Sequence, residues 1–302
     1  MSKLQSSENP VVIEAAITPL RFGEPVQSTQ QTIDESRACL AAGAAIIHHH
    51  HDFSAPPADG VRQMVAIQKG ILDAFPGALM YSDYLQGSGI WEKNAHLRPL
   101  QAAGILRMVP LDPAIVQVGK LDKDGLPSDS HVAGLTFAQA AEVVRFAREV
   151  NVPMSVSIYE PGNLRWARAY ALAGMFPAGS IIKLFFGGPY TIGMHKAPGV
   201  NFGMHPTKAA LDIYLSMMEG MNMPWIVSCL AGVLLETPLA RYTLERGGHI
   251  RVGIEDAAGG SDMTNVESVN AARALAAEVG RPVVVAEAAK ELLRRPDRAL
   301  AA

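Results

Sequence analysis

Short apolar runs alternate with longer amphipathic stretches along this chain, and each change of period marks an element. Val11–Ile17 predicts a first strand and Thr32–Ala42 a helix behind it, with Ser28 or Thr29 near its start. Ala44–His50 and Val61–Ala74 form a second pair, Ala78–Ser82 and Ala95–Ala103 a third. Ile105–Leu111 is a fourth strand whose helix is delayed to Phe137–Val150. Met154–Tyr159 with Leu164–Ala173, Ile181–Phe186 with Lys208–Met221, and Trp225–Cys229 with Pro238–Glu245 continue the series. Ile250–Glu255 is an eighth strand, followed by a helix over Asn265–Val279 and, after the short run Val283–Val285, a last helix over Ala286–Arg294.

Strand followed by helix, eight times over, predicts an α/β fold in which a parallel sheet closes into a (β/α)8 TIM barrel. The competing doubly wound sheet often opens on a glycine-rich turn, and no GxGxxG follows the first strand here. No composition shift or flexible linker divides the chain, so one domain over residues 1–302 is expected. Two connections are far longer than the few residues usual in such units: Asp112–Leu135 after the fourth strand and Gly187–Thr207 after the sixth. Both belong over the mouth of the barrel, as simple surface insertions or as the wall or lid of a substrate site.

The composition, 49% hydrophobic and 18% charged, is that of a soluble globular enzyme of 302 residues. A net charge of −3 with no basic block gives no support to binding of nucleic acid or to electrostatic attachment to a membrane. No apolar stretch is long enough to span a bilayer, and the polar opening Met1–Pro10 lacks the apolar core of a signal peptide. A cytoplasmic location is therefore expected, with no disulfide between Cys39 and Cys229.

Barrel enzymes place their chemistry at the C-terminal ends of the strands, which gives a positional test for each polar residue. The run Ala44-Ala45-Ile46-Ile47 breaks abruptly into His48-His49-His50-His51-Asp52 at the end of the second strand. Alternation puts His48 and His50 on one side, where two imidazoles can reach one metal ion. A hydrogen-bonded histidine cluster without an ion is the other reading. Zinc would need a third ligand, and Glu255 is chosen because Ile250-Arg251-Val252-Gly253-Ile254-Glu255-Asp256 reads as a strand ending in two carboxylates. Asp256 is then left to face substrate or a partner, and Arg251 is the natural group to orient it. The alternative is a solvated strand end. Glu14, alone in an apolar strand, either pairs with a buried base or faces the mouth. Ser82, Ser228 and Glu160 follow strand ends, the two serines being weak signals taken singly, and His205 reads as a surface residue.

Gly43-Ala44-Ala45-Ile46-Ile47-His48-His49-His50 and Gly247-Gly248-His249-Ile250-Arg251-Val252-Gly253-Ile254-Glu255-Asp256 resemble the β-keto acid cleavage enzymes, whose type member cleaves 3-keto-5-aminohexanoate. Weaker similarity runs through Thr264–Glu267 and Glu278–Arg281 to Ala286-Glu287-Ala288. The resemblance implies a barrel that exchanges groups between a β-keto acid and acetyl-CoA, yielding acetoacetate and a new acyl-CoA by a retro-Claisen route. It implies one Zn2+ per subunit on His48, His50 and Glu255, with Asp256, set by Arg251, as general base. It makes Glu14, Ser82 and Glu160 substrate-positioning residues and the assembly a homo-oligomer, commonly a tetramer. The chain departs from the family pattern at His51-Asp52-Phe53, at Val109-Pro110-Leu111 and at Ala257-Ala258-Gly259-Gly260, so the type member's amino-keto acid is not to be assumed.

Other metal-dependent barrels compete with this reading. A hydrolase commonly carries its His-x-His pair on the first strand, and an aldolase needs a phosphate or carboxylate clamp not identifiable here. A non-catalytic metal-binding barrel would have no need of an arginine-oriented carboxylate.

Overall fold

The computed structural model describes residues 9–113 and 115–294; the two ends of the expected domain lie outside these. The eight expected barrel strands are present as β1 (Ile13–Ile17), β2 (Ile46–His49), β3 (Leu79–Ser82), β4 (Val109–Leu111), β7 (Met154–Ile158), β8 (Ile181–Gly187), β10 (Trp225–Leu230) and β11 (His249–Val252). They form one parallel sheet in the order β3-β2-β1-β11-β10-β8-β7-β4. Its end strands, β3 and β4, are consecutive barrel strands, and the sheet curls so that they nearly close a TIM barrel. Most strand residues are buried on both faces because helices cover the outside, which is why the strands read as continuous apolar runs.

The helices lie close to their expected places. Helix α1 (Thr29–Ala42) starts at a capping box in which Ser28 and Gln31 satisfy each other's backbone, and Gly43 ends it with φ 114°. Helix α2 (Pro57–Ala74) and helix α6 (Pro161–Leu172) begin a few residues earlier than the apolar pattern indicates, each with proline in its first turn. Helix α11 (Ala286–Leu293) turns Ala289 and Leu293 onto Val12, Ile46, Leu79, Ile181 and Ile226, the opening residues of five strands' worth of sheet. It caps the floor, so all long connections of the mouth lie at the opposite end.

Two expectations need correction. The connections read as long loops contain strands: β5 (Val116–Leu121) and β6 (Pro127–Ala133) form a hairpin, and β9 (Gly199–Val200) from the other connection pairs with β5, giving an antiparallel sheet β6-β5-β9 over the mouth. The signal was available in the alternation Val116-Gln117-Val118 and in the turn residues Asp124-Gly125. The eighth strand also ends at Val252, three residues early. Gly253 takes φ 148°, and a Cβ there would stand 2.3 Å from the carbonyl oxygen of Ala16. The chain then turns at once into a short helix, α9 (Ile254–Ala257). Glu255 and Asp256 therefore leave successive positions of a helical turn rather than opposite faces of a strand.

Candidate functional site

His48 pairs with Ala16 and Tyr81 at the next-to-last registered position of β2, and His50 follows directly after the strand, so alternation brings both rings to the same side. Their Nε2 atoms stand 2.9 Å apart. Helix α9 carries Glu255 over them, with Oε2 at 3.2 Å from Nε2 of His48 and Oε1 at 3.1 Å from Nε2 of His50. These three side chains form a group of potential metal ligands. Tetrahedral zinc with ligands at about 2.0–2.1 Å spaces its donors about 3.3 Å apart, so the spacing and the two-imidazole, one-carboxylate donor set both fit such an ion with a position left for substrate. Asp83, the residue after β3, lies 3.2 Å from Nδ1 of His50, the carboxylate-to-imidazole arrangement that orients ligand histidines. Burial alone would lower His50, but Glu255 and Asp83 on its two nitrogens outweigh that and raise it to about 10. Glu255 is held well below the usual carboxylate range, because His48, Arg251 and His50 together overcome its desolvation.

Arg251, 2% exposed on β11, organises the other half of the site. Its Nε and Nη2 hold Asp256 at 2.9 and 2.7 Å, and Nη2 also reaches Glu255 at 3.1 Å. Ser228 at the C-terminal part of β10 donates to the same Asp256 carboxylate. The arginine-to-aspartate partnership expected from the sequence is therefore present. Asp256 is covered by these partners and is 3% exposed.

Glu14 takes the buried-base alternative. It is fully buried on β1 and accepts from Lys183 Nζ at 2.6 Å, from Arg251 Nη1 at 3.0 Å and from Tyr81 Oη. Lys183 was not anticipated. It is a lone cation in the apolar run of β8, the mirror image of the signal that singled out Glu14, and the two pair inside the barrel. Burial pushes Lys183 down to about 8 in spite of Glu14. Glu14 is itself lowered, since Lys183 and Arg251 outweigh its desolvation.

Above this network lies a small polar cavity of about 50 Å³, lined by His48, Ser82, Asp112, Lys183, Arg251 and Glu255 among others. Ser82 Oγ is buried there without a hydrogen-bond partner among the described residues. Neither Glu14 nor Asp256 lines it. Glu160 does not line it either: its Oε1 accepts from the backbone N–H of Gly203 at 2.7 Å, tying the connection after β8 to the start of α6. His205 is exposed, as expected. Asp112, just after β4, was missed by sequence reasoning, as were Asp83 and Tyr159; only their places at strand ends could have marked them. The Tyr159 hydroxyl lies 3.4 Å from Asp112 Oδ2. Burial raises Asp112 to about 7.

His49 and His51 are buried as well. His49 is fully buried with no hydrogen-bond partner on either ring nitrogen among the described residues, and burial drives it well below its ordinary value. His51 packs against Phe53, ring centroids 5.4 Å apart, and fills the space beside Gly60. The candidate site uses half of the histidine run.

Fold and site together describe a (β/α)8 barrel with a candidate metal centre and an arginine-bound carboxylate at its catalytic face. The chain belongs to the beta-keto acid cleavage enzyme family, whose model matches residues 10–294. Cleavage of a carbon–carbon bond is thus its reaction class. Among solved structures it is similar to ObcA in a binary complex with oxaloacetate, at 14% identity and a TM-score of 0.62, over 89% of this chain and 67% of that one. ObcA in a ternary complex with a C4-CoA adduct and oxalate matches at 15% identity and a TM-score of 0.60, over 88% and 66%. A dihydropteroate synthase from Coxiella burnetii in complex with pteroic acid matches at 11% identity and a TM-score of 0.51, over 89% and 92%. These likenesses concern the fold, and the chain spans about two thirds of the length of ObcA. No curated protein matches the chain in sequence.

Proposed function

We propose that this protein is a zinc-dependent acyl-exchanging member of the family, converting a β-keto acid and acetyl-CoA into acetoacetate and a new acyl-CoA. The observation that carries the reading is the convergence of His48, His50 and Glu255 at ligand spacing, beside a carboxylate gripped by a buried arginine. ObcA, seen with oxaloacetate and with a CoA adduct, supports a keto acid and a CoA thioester as the partners. A divalent ion on the three ligands would polarise the substrate's keto oxygen and stabilise enolate charge.

The protein's own groups divide the remaining work. Ser82 Oγ donates to the substrate from the cavity wall. Asp256 takes a proton from the carbon between the keto and carboxylate groups, and that carbon attacks the thioester carbonyl and displaces the CoA thiolate. The thiolate then adds to the original keto carbonyl, the bond to the central carbon breaks to leave the new acyl-CoA and the enolate of acetoacetate, and that enolate takes the proton back from Asp256 to give acetoacetate. Because Arg251 and Ser228 cover Asp256, this transfer asks for a shift of the short turn α9, which is followed by Ala258 in the left-handed region at φ 47°. Glu14 acts through Lys183 and Arg251, and Glu160 through the loop it pins; both are positioning residues. We read the chain as one barrel domain acting in the cytoplasm as a homo-oligomer, a tetramer by family resemblance.

The test supplies acetyl-CoA labelled in its acetyl group with a panel of β-keto acids. Label recovered in acetoacetate, together with a new acyl-CoA and stoichiometric zinc, is the expected result. Cleavage without acyl-CoA formation would point to an aldolase or hydrolase instead, and undiminished turnover after complete metal removal would defeat the zinc assignment.

A further inference from the structure

A second, larger cavity of about 400 Å³ adjoins the polar one and shares Asp83, Tyr84, Asp112, Tyr159, Leu230 and Glu255 with it. Its size falls within the range of small-molecule pockets. Val116 and Val118 of β5, Ala133 of β6, Ile192 and Phe202 of the β8–β9 connection, and Leu230 of β10 line it. Several of these belong to an apolar cluster separate from the barrel core: Phe185, Phe202 and Leu230 are buried together, with Val116, Val118, Tyr159 and Ile192 packed on them. Tyr159 stacks on Phe185 at 4.9 Å and meets Phe202 edge-on at 4.7 Å, so this part of the wall is a rigid aromatic corner. Leu20 and Phe22 line it as well.

The charged groups around the chamber decide what it rejects. Among the described residues its lining holds no lysine or arginine, and of its two histidines His50 is already turned to Asp83 and Glu255, which leaves His131 on β6 as the one imidazole that a carboxylate tail could meet. Of its carboxylates, Asp83 and Glu255 are turned to His50 at 3.2 and 3.1 Å. Asp112 is placed beside the Tyr159 hydroxyl, and burial raises it to about 7, so it is only partly ionised near neutrality. Glu14, the first-strand carboxylate, is consumed by Lys183 and Arg251 beneath the cavity.

We propose that the chamber formed by the β5–β6 hairpin and the β8–β9 connection receives an uncharged alkyl or aryl side chain, so that the substrate is a β-keto acid apolar beyond its keto carbon. This rests on the proposed acyl exchange and deepens it. The balanced reaction joins R–CO–CH2–COO⁻ and CH3–CO–S–CoA and yields R–CO–S–CoA and CH3–CO–CH2–COO⁻, with R apolar.

The test compares three β-keto acids of equal chain length, ending in a methyl, an ammonium or a carboxylate group, each with acetyl-CoA and the full-length protein. Acetoacetate release should show kcat/KM for the methyl-ended acid about a hundredfold or more above both charged ones, since a charged end must be desolvated against an apolar wall. Val116→Lys should narrow that gap toward the carboxylate-ended acid, and Asp112→Asn should leave the preference for the methyl end in place. Preference for either charged acid overturns the proposal. So does a Phe202→Ala variant that raises KM for acetyl-CoA yet leaves the order of the acids unchanged, because the chamber would then hold the CoA arm. If none of the acids turns over, the acyl-exchange reading has failed. Calorimetric binding of the same three acids still reads the chamber, and equal affinities would overturn the proposal there too.

Discussion

Replacing Glu14 by glutamine removes one negative charge from between two buried cations. Lys183 Nζ lies 2.6 Å and Arg251 Nη1 3.0 Å from the same carboxylate oxygen, at 1% and 2% exposure. Breaking a buried pair by deleting one partner costs about 3–5 kcal/mol. Lys183 has an escape, since it can lose its proton; relative to an unfolded lysine near 10.4, that costs about 4.6 kcal/mol at pH 7. The folded chain takes the cheaper course, so Glu14→Gln should lose about 3–5 kcal/mol at pH 7. The sign of the pH dependence follows from a folded lysine pKa below the unfolded one. Lys183 already stands at about 8, so between there and the unfolded value the unfolded chain binds more protons and this group's contribution to stability rises with pH. In Glu14→Gln the folded value drops further and the window opens at lower pH, so part of the lost stability returns on going from pH 7 to 9. The double variant Glu14→Gln/Lys183→Met should recover much of the loss at pH 7, because no unpaired lysine then remains. Urea unfolding at the two pH values reads all of this. A loss that is the same at both pH values and unrelieved by Lys183→Met would refute the assignment of the pair as the barrel's internal charge balance.

Four further outcomes are expected. Asp256→Asn should keep the fold and metal content while lowering acyl exchange by about 10²–10⁴-fold, the usual worth of a general base; unchanged turnover would remove Asp256 from the chemistry. His50→Ala should lose metal stoichiometry and activity together, as measured by elemental analysis and acetoacetate release, with a retained ion counting against the ligand assignment. Arg251→Lys should lower activity and weaken metal affinity by about 10–100-fold, because an ammonium cannot hold Asp256 by two nitrogens while touching Glu255; normal metal affinity would restrict Arg251 to Asp256. His249, buried and accepting from the Val12 backbone N–H at 3.2 Å, is lowered to about 3 by burial and by Arg281. Its neutral form is therefore needed for the fold: its contribution is complete above the unfolded value near 6.5 and is lost as pH falls toward 3. His249→Gln should flatten the fall in thermal midpoint between pH 7 and 4, and an unchanged slope would rule it out as a source of acid sensitivity.

The barrel was legible because its strands are buried on both faces and its helices on one, so the period of the apolar pattern changes at each boundary. The cover over the mouth was less so. Strands β5 and β9 carry glycine at 119 and 199, where the two cross, and proline opens β6; these residues read as loop although the pairing is regular enough to form a sheet. His48 and His50 could be found because an apolar run breaks into them, and Asp256 because it follows another such run, which itself carries Arg251. Lys183 carries the same mark as Glu14: a lone charge in a buried strand implies a partner of opposite sign in another strand, and the two are each other's partner. Asp83 and Asp112 carry no such contrast. Each follows its strand as an ordinary polar residue, and only the closing of the barrel turns them toward His50 and Tyr159.

The early end of β11 explains how adjacent carboxylates serve different partners without opposing strand faces. On a helical turn, successive side chains diverge by roughly 100°, not 180°. Glu255 can therefore lean over β2 to the imidazoles while Asp256 leans toward β10 and Ser228, and one guanidinium spans the gap between them. A continued strand would have sent one of the two carboxylates outward into the helical layer, beyond reach of Arg251. Gly253 makes the turn possible because the backbone passes too close to Ala16 for any Cβ. The glycine thus belongs to the site's geometry as much as the charged residues do, although it touches neither cavity with a functional group.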